Sequence, residues 1–198
     1  EEWRAGTSHN ITFSNNIIAE SLAYSSHSKG EHSKGSLIHD NVTGLLIIGN
    51  LYAHNYERNP LFKGGVHGVI VNNLIYNPGP RAIHYNLAPE EWQNHPYQDG
   101  LMSAVGNVLI AGPSTPVDRL AFLMIGGAGD LRYHGRDNVA VDSRGDPLRM
   151  LGSYTTTGAR IIEEATPPVW WEGLEPWPAG QVQVRVPSGV GARPWDRD

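Results

Sequence analysis

The chain has 198 residues, of which 39% are hydrophobic and 18% charged, which suits one folded domain with a sizeable core and argues against wholesale disorder. Its formal charge of -5 gives no electrostatic reason to expect nucleic acid, so any polyanion must be met by a local basic patch. With no cysteine, disulfides, thiolate metal sites and cysteine nucleophiles are excluded, and no run approaches the ~18 apolar residues of a membrane span.

The opening Glu1-Glu2-Trp3-Arg4 carries neither an initiating methionine nor a leader pattern, and reads as the inside of a longer gene product. Gly (23) and Pro (14) recur throughout, so the chain turns often and long helices are not expected. A weak repeat follows. Asn15-Asn16-Ile17-Ile18, Gly49-Asn50-Leu51-Tyr52, Asn72-Asn73-Leu74-Ile75 and Gly106-Asn107-Val108-Leu109 each follow a short apolar run. Asn16, Asn50, Asn73 and Asn107 align, and Asn50 and Asn73 stand about one solenoid repeat apart, in the range of roughly 20 to 29 residues.

Strand, Asn turn and strand, repeated, is the unit of an all-β, right-handed single-stranded parallel β-helix. Stacked Asn side chains can satisfy buried polar groups along the stack, and Asn tolerates a left-handed turn. Antiparallel hairpins are the competing arrangement, but Asn-Gly hairpin dipeptides are absent. The solenoid is expected over 1–165, with loops at 21–40, 86–101 and 111–119 and later coils at 120–142 and 148–163. A Pro/Trp-rich segment, 166–198, is expected to pack on its outside, and Gln181 to Val186, which alternates polar and apolar, reads as an edge strand.

Two stretches concentrate cations and imidazoles. They are His27-Ser28-Lys29-Gly30-Glu31-His32-Ser33-Lys34-Gly35 and Glu57-Arg58-Asn59-Pro60-Leu61-Phe62-Lys63-Gly64-Gly65. On adjacent coils they would meet on one edge as a positive groove for an anionic polymer. Lys29 alone reads as a solvated lysine; Lys34, Arg58 and Lys63 together read as functional. His27 and His32, with His9 and His39, could instead hold zinc or nickel, although the spacing matches no strong motif. Asp130, Asp137 and Asp142 are the carboxylates a hydrolase would need, but no motif joins them to the basic stretches.

The segment Asn50 to Tyr76, with Asn-Leu-Tyr, then Arg58-Asn59-Pro60-Leu61-Phe62-Lys63, then Gly and a strand ending in Asn72-Asn73-Leu74-Ile75-Tyr76, resembles the core of the pectate lyases. Ile17 to Leu22 followed by His27-Ser28-Lys29-Gly30 is similar to one subgroup of them, as is Gly191 to Asp198. The resemblance covers about residues 9–86 and implies a polysaccharide lyase, secreted or periplasmic, that cleaves a polygalacturonate-like anionic polysaccharide by β-elimination. It implies Arg58 as the base, Lys63 and, less directly, Lys34 as carboxylate-binding groups, and calcium as cofactor. His27, His32, Arg81 and His84 join the substrate-binding candidates.

A guanidinium base requires crowding by Lys34, Lys63 and calcium to lower its pKa, and His27, His32 or His84 could take that role instead. The chain departs from the family at Lys63, which stands where a second Arg is usual and loses bidentate geometry. No acidic cluster suited to calcium is visible, and Glu20 and Glu31 are the available ligands. A non-catalytic carbohydrate-binding or structural β-helix, of adhesin or tail-spike type, is the alternative. Exposed strand edges of a solenoid also allow pairing with other chains.

Overall fold

The computed structural model describes residues 7–24, 26–28, 30, 32 and 34–196. Successive coils of the chain stack. The first contains β1 (His9–Ser14), β2 (Ile17–Ala19) and β3 (Leu37–Ile38), and the second β4 (Thr43–Ile48), β5 (Leu51–Ala53) and β6 (Leu61–Lys63). The third is β7 (His67–Val71), β8 (Leu74–Tyr76) and β9 (Ile83–Leu87), followed by the short helix α1 (Pro89–Trp92). The fourth is β10 (Gly100–Val105), β11 (Val108–Ile110) and β12 (Ala121–Gly127). The fifth is β13 (Leu131–Arg136), β14 (Val139–Val141) and β15 (Arg149–Ser153), and β16 (Ile161–Glu163) begins the next.

Every third strand pairs in parallel, giving sheets β1-β4-β7-β10-β13-β16, β14-β11-β8-β5-β2 and β15-β12-β9-β6-β3. This is the right-handed parallel β-helix expected from the repeat, the hand that parallel crossovers take almost without exception.

Register explains the core. Ile18, Tyr52, Ile75, Leu109 and Ala140 stand in line on five successive coils, and Tyr52, Ile75 and Leu109 are essentially inaccessible. Like residues stacked at about 4.8 Å fill one continuous interior, and burying each large apolar side chain contributes about 1.5–3 kcal/mol.

The corner between the first two sheets carries the asparagine ladder. Asn16 N–H donates to Asn50 Oδ1 at 2.9 Å, Asn50 N–H to Asn73 Oδ1 at 2.9 Å, and Asn73 N–H to Asn107 Oδ1 at 3.0 Å. Asn107 N–H continues to Asn138 Oδ1 at 3.0 Å, a rung that the sequence repeat had not included. The residue before each rung is left-handed: Asn15, Gly49, Asn72, Gly106 and Asp137 have φ between 51° and 66°. Only Gly, Asn and Asp occupy the position, the residues that tolerate it.

The segment expected as an edge strand is helical. A 3₁₀ turn (Ala179–Gln181) leads into α2 (Val182–Gly189). Val182 and Val186 are buried against Leu74 and Val108 on the outside of the second sheet, whereas Val184 is 74% exposed. Valines at every second position also place an i, i+4 pair on one helix face, so the alternation fitted both periods. The segment returns along the solenoid. Trp177 exchanges hydrogen bonds with Asn72, and Gly191 N–H donates to Asn15 O at 2.9 Å.

Candidate active site

The turn between the second and third sheets holds the cationic stretches, and coil stacking brings them together. Lys34 and Glu57 are backbone bridge partners on adjacent coils, and Gly35 N–H donates to Glu57 O at 2.9 Å. A Cβ at Gly35 would stand 2.3 Å from Arg58 O, so glycine is needed for the two turns to approach this closely. Arg58 itself has φ 66°, a left-handed geometry that costs a non-glycine residue about 1 kcal/mol or more. Such strain is concentrated at functional positions.

A cleft of about 210 Å³ opens beside this turn. Arg58 and Glu57 come from the second coil's turn, Lys63 from β6, and Arg81 from the third coil's turn, with His84 and Asn86 of β9 and Tyr154 completing the wall. Carboxylates thread between the cations. Glu57, buried, pairs with Lys34 at 2.8 Å and with Arg81, and Lys63 Nζ lies 2.7 Å from Glu91 of α1. Arg58 Nε makes no hydrogen bond and stands 3.9 Å from Glu57.

Burial, the largest effect, pulls the Arg58 guanidinium below its ordinary pKa, and Tyr154 and Glu91 oppose the shift. Burial, rather than the expected like-charge crowding, is the cause that lowers it. His84 is driven well below the usual imidazole range, first by burial and then by Arg81, Arg58, Lys34 and Lys63. It is neutral at neutral pH. Its Nδ1 lies 3.3 Å from Tyr154 Oη, and its Nε2 is buried without a hydrogen bond.

Arg58, Lys34, Lys63, Arg81 and His84 are thus brought together. His27 and His32 are not part of the cleft wall; their rings stack on each other, centroids 4.0 Å apart, in the first coil's excursion. Lys29 and Glu31 lie outside the described residues. The three aspartates do not assemble a hydrolytic pair: Asp130 is held by Arg160, Asp137 accepts from Ala179 N–H, and Asp142 pairs with Arg144.

Sequence comparison bears on this geometry. No family model matches the chain. A protein of Aspergillus terreus named probable pectate lyase C is 35% identical over 113 residues, 57% of this chain and 23% of that protein. Proteins of the same name from Neosartorya fischeri and Aspergillus fumigatus are each 32% identical, over 130 and 132 residues, 66% of this chain and 26% of theirs. Over that stretch the chain is similar to proteins named pectate lyase. It spans about a quarter of the length of the curated relatives it matches.

The calcium that the resemblance implies needs a set of oxygen ligands, six to eight in most sites. Among the described residues, the grouping able to hold a metal is His39, Asp40 and Glu91. Trp92 Nε1 and His39 Nδ1 occupy the Asp40 oxygens, and the Lys63 ammonium already lies against Glu91. Glu20 belongs to no such grouping. The described residues do not fit calcium.

Glu57, Asn86 and Tyr154 had drawn no role from the sequence. Tyr154 follows β15, 70 residues from His84, and reaches back across β12. A Cβ at Gly126 would stand 2.5 Å from its ring, so glycine clears its path. Its hydroxyl accepts from Asn86 Nδ2 at 3.1 Å, and the Arg81 guanidinium lies 4.7 Å from the ring centre.

Proposed function

We propose that this chain carries the catalytic edge of a polysaccharide lyase acting on a uronate polymer such as pectate, with Arg58 as the proton acceptor. The observation that supports this is the convergence of Lys34, Arg58, Lys63 and Arg81, drawn from three consecutive coils, on one cleft edge. In β-elimination a base takes the proton at C5 of the uronate. The electron pair left behind forms the C4–C5 double bond, and the C4–oxygen bond breaks, with the leaving oxygen taking a proton from solvent.

Negative charge grows on the carboxylate during proton loss, and fixed cations stabilise that state more than the ground state. The Arg58 side chain retains 24% exposure and lies at the surface of the cleft, whereas His84 is 2% exposed and forms its floor. Access therefore favours Arg58, and burial supplies the downward pKa shift that a guanidine acceptor requires. Lys63 and Arg81 orient the carboxylate. A polymeric uronate substrate suits a secreted or periplasmic protein.

A non-catalytic carbohydrate-binding β-helix is the second reading, favoured by the pairing of Lys34, Lys63 and Arg81 with the protein's own carboxylates. One assay separates the two. Polygalacturonate is incubated with the chain, with and without a chelator, and unsaturated product is followed by its ultraviolet absorbance. Product that disappears in Arg58→Ala supports the lyase; binding without product in the native chain supports the alternative.

A further inference from the structure

A second groove, of about 380 Å³, runs beside the cationic cleft. Tyr24, His54, Tyr56, Asn77, Gly79 and Ser114 line it, and they come from the second-to-third-sheet turns of four successive coils. Stacked coils at about 4.8 Å make it roughly 14 Å long. That length suits a short oligosaccharide. The volume is within the range of small-ligand sites.

Its chemistry differs from that of the cleft. Among the described residues that line it, none carries a carboxylate, ammonium or guanidinium. Tyr24 is 95% exposed and Tyr56 44% exposed, so each presents a wet aromatic face. A tyrosine ring has an apolar body and a polar rim, matching a pyranose, whose ring faces carry C–H groups and whose edge carries hydroxyls. The His54–Asn77 pair, at 2.8 Å, and Ser114 supply polar groups along the wall. Its described lining offers a uronate no cationic side chain, and a neutral sugar needs none.

The two depressions lie side by side. On the second coil the groove residues 54–56 directly precede the cleft residues 57–63, and on the third coil residues 77–79 precede 81–86. Tyr56 forms the partition, with the Lys34 ammonium 4.9 Å from its ring centre and that ammonium paired to Glu57 in the cleft. A branch that leaves a backbone held in one depression can reach the other across Tyr56.

We infer that the groove walled by Tyr24 and Tyr56 binds a neutral glycosyl branch of the polymer whose uronate occupies the Arg58 cleft. The inference rests on the proposed function for the identity of the polymer. A site for neutral branches would direct the protein to branched, mixed-sugar regions rather than to unbranched polyuronate.

Affinity electrophoresis tests it, with gels containing either a pectic polysaccharide bearing neutral arabinose and galactose side chains or the same polysaccharide enzymatically stripped of them. The native chain is expected to be retarded at least about 5-fold more strongly by the branched polymer. Tyr24→Ala should reduce that retardation to the stripped-polymer level and leave the stripped-polymer value unchanged. Arg58→Ala should weaken retardation by both polymers. Equal retardation of the native chain by both polymers, or an unaltered preference in Tyr24→Ala, overturns the branch site and leaves the uronate reading standing. Retardation by the branched polymer alone sustains the branch site while removing support for the uronate cleft, and retardation by neither overturns both.

Discussion

The Lys34 ammonium lies 2.8 Å from the Glu57 carboxylate, and the same two residues are backbone partners across adjacent coils. One residue is from the first coil's excursion, the other from the turn that carries Arg58. The pair therefore fixes how that excursion meets the cleft, and Glu57 also pairs with Arg81 of the third coil. A single buried carboxylate ties three coils together.

Replacing it tests the arrangement. Glu57→Gln keeps the shape and removes the charge, leaving Lys34 and Arg81 without their shared counter-ion. Breaking a pair this well buried costs about 3 kcal/mol, and chemical denaturation should read that loss. Loss of the carboxylate also leaves Lys34, Arg58 and Arg81 repelling one another, so added salt should restore part of the stability. Full stability in the variant at low salt would mean that the carboxylate does not organise this edge.

Arg58 joins the proposed proton-acceptor role to backbone strain, and two substitutions separate them. Arg58→Ala and Arg58→Gly both remove the guanidinium, and both should lower elimination activity by roughly 10³-fold, the scale of a lost general base. Only glycine relieves the left-handed φ of 66°, so Arg58→Gly should be more stable than Arg58→Ala by about 1 kcal/mol. Arg58→Lys should also be inactive, because a lysine cannot reproduce the planar guanidinium. Equal melting temperatures for the Ala and Gly variants would contradict the strain; retained turnover in either would contradict the catalytic role.

The solenoid was legible because its corner imposes a local demand. A left-handed residue followed by a ladder Asn is a two-residue signal, and Asn15-Asn16, Gly49-Asn50, Asn72-Asn73 and Gly106-Asn107 display it. Asp137-Asn138 escaped because Asp fills the left-handed position and β13 before it is largely polar. Arg58 and Lys63 were legible because one contiguous stretch carries them. Tyr154 was not, since its approach to His84 spans 70 residues and depends on the space left at Gly126. The role of Glu57 was hidden for a similar reason: its partners lie on other coils. At 181–186, the valine spacing suited strand and helix alike, and only the apolar outer face of β8 and β11 selects the helix.

The ladder has a gradient that can be measured. Asn73, in the middle, accepts from Asn50 N–H, and its Nδ2 serves Ile47 O, Val71 O and Asn107 Oδ1. Asn73→Ala strands several of these buried groups, each costing about 1–3 kcal/mol, so a total loss of at least about 3 kcal/mol is expected in urea unfolding. Asn16, on the first rung, donates to Asn50 and Ser14 O, and Asn16→Ala should cost about 1 kcal/mol. Equal losses at the two rungs would show that the ladder adds nothing beyond local turn chemistry.

His84 gives the fold a pH dependence of definite sign. Its folded pKa is depressed well below 6.5 by burial and by Arg81, Arg58, Lys34 and Lys63. The unfolded chain binds a proton at His84 as pH falls through about 6.5, while the folded chain does not. The unfolded state then holds more protons, and stability rises with pH in that window. Its contribution is complete above the unfolded pKa and declines on acidification below it, at up to about 1.4 kcal/mol per pH unit for one proton. Unfolding free energies measured between pH 7 and pH 5 should therefore fall for the native chain and fall less steeply for His84→Asn, which cannot titrate. Parallel profiles for the two proteins would place the imidazole in water rather than beneath the cationic cleft.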